Sequence, residues 1–336
     1  MAEFFNVLPP ALALAELFKH LPASVHPESI LTVDALDRVT AEPVRSPAAL
    51  PAFPRSTMDG YAVRAQDTFG ASATLPASGA TVIEAGRRLR PQDLGGLMAL
   101  GITSVMVARR PTFAILATGD EVVPPESHAG PGQIRDINSY SVGGLVQRAG
   151  GLPVRYGIAP DNFNTLITTS TKALSECDGL ILSAGSSVSV RDMTGDVINR
   201  LGKPGVLVHG VAVKPGKPTL LAVCDGKPVF GLPGNPVSAL VIAELFVKPT
   251  IERMLGLRES LTRRVRAKLT RNIASEAGRE DYVPARLVER DGEMLAEPVF
   301  GKSNLIFTLI RADGIIHIPL NANGVSEGEM VEVRLF

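Results

Sequence analysis

Alternation between buried strand-like runs and helical stretches, from residue 111 to residue 256, is the feature that most constrains this fold. Apolar runs such as TFAILATGDE and GLILSAGSSVS alternate with stretches such as NFNTLITTSTKALSE, which carry apolar residues at helical spacing. Strands joined by helices of this length favour a mostly parallel sheet with helices on both faces. In such sheets, ligands collect at the carboxyl ends of the strands.

Both flanks of this region follow different patterns. Residues 8–21 have helical spacing with proline near the start, and a second helix is predicted at 34–42 with Asp34 as its N-cap. Beyond residue 256 the pattern becomes all-β, which indicates a small separate domain. The predicted domains are therefore an elongated N-terminal region (1–110), an α/β domain (111–256) and a β domain (257–336).

Composition excludes several classes of function. Acidic and basic residues balance at 34 each, so no overall basic field points to nucleic acid or to an anionic membrane. The longest apolar run is too short to cross a bilayer, and the N-terminus lacks the basic start of a signal peptide, so a cytoplasmic protein is expected. The two cysteines, Cys177 and Cys224, lie in apolar contexts that favour buried free thiols over a disulfide.

Two predicted strands end in loops with polar chemistry. The first loop contains Thr118, Gly119, Asp120 and Glu121; a plain turn cap with a solvated Glu121 is the simpler alternative. A helix start near Asn138 or Ser139, after Asp136, is expected at the same sheet edge. The second loop, residues 183–192, has small residues that allow backbone amides to approach an anion, although a tight strand-to-helix turn explains them equally well.

Two further loops carry proline, glycine and lysine. VKPGKP (213–218) holds Lys214 and Lys217 in a stretch stiffened by proline, and lysines act as point charges for phosphate. GLPGNP (231–236) ends in Asn235 and Pro236, a good N-cap and first-residue pair for a long helix at 235–255. Helix-start chemistry alone could account for the second loop, and ordinary solvation for the lysines.

Together these loops predict one site. An anion-binding wall (183–192, 214–218, 232–238) faces several carboxylates, and a phosphate-bearing ligand with Mg²⁺ satisfies both sets. The sequence contains no Walker A or GxGxxG motif and no evident Ser–His–Asp arrangement. The carboxylates are Asp59 in STMDGYAVR, Asp120, Glu121, Asp136 and Asp192.

The chain resembles the MoeA family of molybdopterin molybdenumtransferases, which includes the E domain of gephyrin. The matching segments occur in the family's order and cover nearly the whole chain: STMDGYAVR, ATGDEVV, GQIRDINSY, LSAGSSVSVRD, VKPGKP, FGLPGNPVSA and GKSNLIFTLIRADGIIHIP. The resemblance implies a MogA-like three-layer α/β/α domain, a helical and extended N-terminal region, and a small β-barrel-like C-terminal domain.

The resemblance also implies an activity and a set of site residues. The family inserts molybdate into adenylylated molybdopterin, with Mg²⁺, and releases AMP; its sites lie in a cleft of a homodimer. The implied catalytic residues are Asp59, Glu121, Asp192, Lys214 and Lys217, and the first three are also implied as metal ligands. The implied substrate-binding residues are Thr118, Gly119, Gly185, Ser186, Ser187, Pro215, Gly216, Pro233, Gly234, Asn235 and Pro236.

The chain departs from the family pattern in length. After TLPA (74–77) it continues with SGATVIEAGRRLRP, which the family reaches only after a further domain, so residues near 54–81 correspond to a shortened remnant. This leaves an alternative, a homologue that binds molybdopterin without turning it over. The implied partners are the pterin substrate, a second copy of the chain and a molybdopterin adenylyltransferase.

Overall fold

The computed structural model describes residues 7–22, 25–50, 79–184, 188–260 and 263–336, without the side chains of 184 and 188–192. None of the helices in these ranges is long and apolar enough to cross a bilayer.

The chain forms two compact units. The larger contains Met1–Pro22, Pro111–Glu252 and Leu261–Phe336, and the smaller contains Ala23–Arg110 and Arg253–Ser260. The division into three domains at residues 110/111 and 256/257, predicted from the sequence, stays a prediction.

The helices, in chain order, are α1 (Pro10–His20), α2 (Pro91–Ala99), α3 (Asn138–Ala149), α4 (Phe163–Glu176), α5 (Val188–Leu201), α6 (Pro236–Ile242), α7 (Lys248–Met254) and α8 (Phe307–Ile310). The strands are β1 (Pro27–Leu31), β2 (Val44–Arg45), β3 (Thr81–Ile83), β4 (Ser104–Ala108), β5 (Thr112–Thr118), β6 (Val122–Val123), β7 (Ile134–Arg135), β8 (Leu152–Ala159), β9 (Gly179–Ala184), β10 (Pro204–His209), β11 (Val213–Lys214), β12 (Leu220–Cys224), β13 (Lys227–Pro233), β14 (Arg264–Leu269), β15 (Ile273–Ala274), β16 (Glu280–Arg290), β17 (Glu293–Pro298), β18 (Gly314–Ile318), β19 (Gly324–Val325) and β20 (Met330–Leu335).

A six-stranded sheet organises the larger unit, in the order β10-β12-β13-β9-β5-β8. The four strands from β13 to β8 are parallel, and β12 joins them through an antiparallel hairpin. Helices α3 and α6 contact each other, as do α4 and α5, and both pairs pack on the sheet. The predicted three-layer α/β/α arrangement is therefore confirmed.

The C-terminal strands of the same unit close into a barrel. Strands β16, β17, β14, β20 and β18 pair in this order, and β18 pairs back to β16. The hairpin between β16 and β17 turns at Asp291 and Gly292. Both residues have positive φ, because a two-residue turn between twisted strands needs that backbone conformation. Short strand β11, which precedes the lysine loop, pairs in parallel with β16.

Two sequence predictions about helices need correction. Residues 34–42 form no α-helix: a short 3-10 turn covers Thr32–Asp34, and the backbones of Val39 and Thr40 then bridge to Arg88 and to Val107 of β4, respectively. Val39 is buried, so tertiary pairing overrides the local helical pattern. The predicted long helix at 235–255 is present, but a π-helical turn at Ala243–Val247 interrupts it.

Core packing explains one glycine in the central strand. Gly179 lies opposite Phe113, whose side chain is fully buried, and a Cβ at Gly179 would overlap the Phe113 ring. We expect Gly179→Ala to lower the free energy of unfolding by about 1–3 kcal/mol, because the ring has no space to move into.

Urea denaturation followed by circular dichroism measures this loss. The matched control is Gly195→Ala in α5, where a Cβ would lie 4.0 Å from Leu220 Cδ1, an ordinary van der Waals distance. It should stabilise the protein by about 0.5–1 kcal/mol through helix propensity. Equal stability of Gly179→Ala and the wild type would contradict the packing argument.

Candidate active site at the carboxyl edge of the sheet

A cavity of about 490 Å³ opens where β5, β9 and β13 end. Because these strands are parallel neighbours, with Ala117 opposite Ser183 and Pro233 opposite Ala184, their last residues meet at one edge. We call this space the strand-end cavity. Its polar lining includes Thr118, Glu121, Asp136, Asn138, Ser183 and Asn235.

Asn138, at the start of α3, connects this helix to β9 and to the residue after β13. Its Nδ2 donates to Ser183 Oγ at 2.8 Å and to the Gly234 carbonyl oxygen at 2.8 Å. A carbonyl oxygen can only accept, so the orientation of the Asn138 amide is determined. Among the described residues, Asn138 Oδ1 and Thr118 Oγ1 are buried without a hydrogen-bond partner. The sequence predicted a helix start near Asn138 but not this bridging role.

Asp136 is positioned by the helix that it precedes. It is only 7% exposed, and its Oδ1 accepts a hydrogen bond from the Ser139 backbone N–H at 3.0 Å. This bond satisfies a free N–H at the start of α3. Asp136 therefore serves as a helix cap and as a carboxylate in the cavity wall, which agrees with its predicted place at this sheet edge.

Glu121 depends on the backbone of Gly119. Gly119 has a φ of +139°, and a Cβ there would lie 2.7 Å from Glu121 Oε2. Glycine thus permits both the backbone conformation and the close approach of the carboxylate. The Val122 N–H closes the turn by donating to the Gly119 carbonyl oxygen at 3.1 Å.

Three carboxylates gather beside this turn. The Asp161 backbone N–H donates to Asp120 Oδ1 at 3.1 Å, and Asp161 Oδ1 is buried without a partner among the described residues. Burial raises the pKa of Asp161, and the charges of Asp120 and Glu121 raise it further. Sequence reasoning missed Asp161, whose proximity to Asp120 arises only because β8 pairs with β5.

The GLPGNP loop (231–236) contacts the C-terminal domain beside the cavity. Pro236 occupies the first turn of α6 as predicted, and Gly234, Asn235 and Pro236 all line the cavity. The side chain of Asn235 does not cap α6, contrary to the prediction; its Nδ2 donates to Ser303 Oγ at 3.1 Å. The neighbouring Asn304 also lines the cavity, and nothing in its local sequence signalled this.

The pairing of β12 with β13 places the lysine loop, residues 213–218, at the same edge of the sheet as the strand-end cavity. Leu220, the first residue of β12, lies opposite Gly231 near the end of antiparallel β13. Lys214, Pro215, Gly216 and Lys217 nevertheless do not line the strand-end cavity. Lys214 Nζ lies 3.7 Å from the buried carboxylate of Asp281 on β16, and both Lys214 and Lys217 are exposed. Gly216 packs against α6, where a Cβ would lie 2.6 Å from Ile242 Cδ1.

Several predicted residues cannot be placed in this geometry. Asp59, Gly185, Ser186 and Ser187 lie outside the described residues, and Asp192 lies in α5 with its side chain outside them. Pro233 is buried as the last residue of β13 and is not among the residues that line the cavity. Within the described ranges, no group of three or more His, Cys, Asp or Glu side chains is arranged to hold a metal ion.

Three family models match this chain in order. The MoeA N-terminal region (domains I and II) matches residues 8–81, and the MoeA C-terminal region (domain IV) matches residues 266–336. A model described as "probable molybdopterin binding domain" matches residues 114–253, which include the strand-end cavity apart from Asn304.

Individual proteins match over nearly the full length. A protein from Methanocaldococcus jannaschii named for molybdopterin biosynthesis is 31% identical over 397 positions, which cover 96% of each chain. A molybdopterin molybdenumtransferase from Haemophilus influenzae is 27% identical over 395 positions, with 96% and 97% coverage. Both alignments are longer than the 336 residues of this chain, so these relatives contain residues that have no counterpart here.

A crystal structure shows the same fold. The molybdopterin biosynthesis MoeA protein from Pyrococcus horikosii superposes with a TM-score of 0.80 at 31% identity. The match covers 98% of this chain and 99% of that chain.

The Asp161 environment predicts a pH effect on stability. Because the folded pKa of Asp161 lies above its unfolded value of about 3.9, its stability contribution is complete below the unfolded pKa and is lost as pH rises through the folded pKa. Asp161→Asn should therefore raise the Tm at pH 7, and the difference from wild type should vanish below about pH 4.

Thermal melts at pH 3.5 to 8 check this expectation. Asp196→Asn, at an exposed position in the same domain, is the matched control and should leave the Tm nearly unchanged at every pH. A lower Tm for Asp161→Asn at pH 7 would mean that Asp161 is stabilising as an anion, which contradicts a pKa raised by burial and by the charges of Asp120 and Glu121.

Proposed function

We infer that this chain, which belongs to the MoeA family, is a molybdopterin molybdenumtransferase that acts in molybdenum cofactor biosynthesis. The reaction inserts molybdate into adenylylated molybdopterin and releases AMP. The strand-end cavity carries this proposal, because it lies within the segment matched as a molybdopterin binding domain and combines carboxylates with two unpaired buried polar groups.

The donor set of the cavity fits a Mg²⁺ ion. The cavity offers oxygen atoms as ligands: the carboxylates of Glu121 and Asp136 and the hydroxyl of Thr118. Mg²⁺ prefers oxygen ligands. We propose Glu121 as one ligand, with Asp59 and Asp192 as the others. When bound, Mg²⁺ neutralises the phosphate oxygens at the anhydride that is cleaved.

The protein's own groups then orient and stabilise the substrate. In this proposal, Lys214 and Lys217, at the same sheet edge, neutralise phosphate charge as it develops during transfer. The backbone of residues 215–216, 185–187 and 233–236 supports the substrate, together with Thr118 and Gly119. Asn138 holds α3 against Ser183 and Gly234, so it keeps the cavity walls in place without touching the reacting atoms.

We also propose that the protein acts as a cytoplasmic homodimer that receives its substrate from a molybdopterin adenylyltransferase, without nucleic acid or membrane as partners. An apolar surface supports the dimer. An apolar cavity of about 470 Å³ lies between α3, α6 and the barrel, and its lining includes Leu240, Ile310 and Phe336. Ile310 and Phe336 in this lining are 66% and 45% exposed, and exposed apolar side chains that lie together are typical of an interface.

AMP release tests the proposed reaction. The protein is incubated with adenylylated molybdopterin, molybdate and Mg²⁺, and AMP is quantified by chromatography. Glu121→Gln should lower the rate about 10- to 100-fold or more, since even second-shell partners of a metal contribute that much. The matched control Glu289→Gln, at an exposed barrel position, should retain the wild-type rate.

The outcome also separates the two functions that the sequence allows. Binding of the adenylylated pterin with no AMP from the wild type identifies a carrier that does not turn its ligand over. An unchanged rate in Glu121→Gln would exclude Glu121 from the metal site.

Light scattering coupled to size exclusion tests the dimer. Ile310→Glu places a charge in an apolar cavity and should shift the protein from dimer to monomer, because burying the carboxylate at an interface is costly. The control Met294→Glu, which is partly exposed on the barrel and does not line this cavity, should leave the mass unchanged. A dimer that persists in Ile310→Glu would show that this surface is not the interface.

A further inference from the structure

A second cavity of about 640 Å³ adjoins the strand-end cavity. Val122 and Asp136 line both, so the two spaces share a wall. The second cavity lies between the loop after β5, the end of β8 and the start of α3. We call it the Tyr140 cavity after its aromatic side chain.

Tyr140 and Arg155 provide a flat stacking surface in this cavity. The Arg155 guanidinium carbon lies 4.7 Å from the centre of the Tyr140 ring, and Tyr140 is 48% exposed. A guanidinium plane and an aromatic ring both accept a heterocyclic base by stacking. Flat heterocycles, rather than compact anions, therefore fit this part of the cavity.

Three of the other polar side chains that line the Tyr140 cavity are carboxylates. Asp120, Glu126 and Asp136 contribute carboxylates, which accept hydrogen bonds and repel phosphate. Independently of these acids, Ser139 lies in the wall with 2% exposure, and its hydroxyl has no hydrogen-bond partner among the described residues. Carboxylates commonly bind the hydroxyl groups of a ribose, and a purine amine is a further donor that suits them.

We propose that the Tyr140 cavity binds the adenosine half of the adenylylated substrate, and that the pterin half occupies the strand-end cavity. This inference rests on the proposed function, which supplies an adenine nucleotide as part of the substrate and as the product AMP. A substrate with two heterocycles joined through phosphates needs two adjoining cavities of this kind. Tyr140 and Arg155 bind the base, and the carboxylates and Ser139 bind the ribose.

Titration of the full chain with AMP by isothermal calorimetry tests the assignment, with ribose 5-phosphate as the probe that lacks a base. AMP should bind at least tenfold more tightly than ribose 5-phosphate. Tyr140→Ala and Arg155→Ala should each weaken AMP binding about 5- to 150-fold, the range expected for loss of one stacking contact. Tyr140→Phe, which keeps the ring, should retain the wild-type affinity.

Arg200→Ala is the matched control, because Arg200 also lies over an aromatic ring, 4.8 Å from the centre of Phe163, but does not line the cavity. It should leave AMP binding unchanged, and thermal melts confirm that each variant is folded. The proposal is overturned if the wild type does not bind AMP, if ribose 5-phosphate binds equally well, or if the two alanine variants bind AMP like the wild type.

These results are separable from those of the AMP-release assay. AMP binding that is lost in Tyr140→Ala, in a wild type that releases no AMP, supports the nucleotide cavity and contradicts the transferase. AMP release with wild-type affinity in both variants supports the transferase and contradicts the nucleotide cavity.

Discussion

Parallel pairing of β5, β9 and β13 is the constraint on which the candidate site depends. Because all three strands run in the same direction, their carboxyl ends meet at one edge, where polar residues from different parts of the chain can come together. Burial of both sheet faces keeps the strands in register. The chemistry of the site is therefore located in loops, and its position is determined by the sheet.

Hydrogen bonds across elements then hold the loops in place. Asn138 joins α3 to Ser183 and to the Gly234 carbonyl oxygen, and Asn235 joins α6 to Ser303 of the barrel. Each bond links segments that are distant along the chain. A buried amide that loses such partners costs about 1–3 kcal/mol, so these contacts stabilise the cavity as well as shape it.

Both negative and positive side chains lie at this edge of the sheet. Burial, and then the neighbouring charges of Asp120 and Glu121, raise the pKa of Asp161, which is unfavourable for folding at neutral pH. Lys214 on β11, by contrast, is a positive group 3.7 Å from the buried carboxylate of Asp281, which also pairs with Arg279 at 3.0 Å. A site that holds like charges together is suited to binding a cation, which is consistent with the proposed Mg²⁺.

The local pattern of the sequence by itself determined the layers of the α/β domain, the positions of its loops and many of the candidate residues. Strand and helix periods predicted the parallel sheet, and glycine, proline and acidic residues after each strand predicted where Thr118, Glu121 and Gly234 would lie. Only the tertiary structure decided that 34–42 is not a helix, that Asn235 binds Ser303 instead of capping α6, and that Asp161 and Asn304 join the site. Those outcomes depend on contacts between residues far apart in sequence, and no local periodicity encodes which distant partner a backbone or side chain will meet.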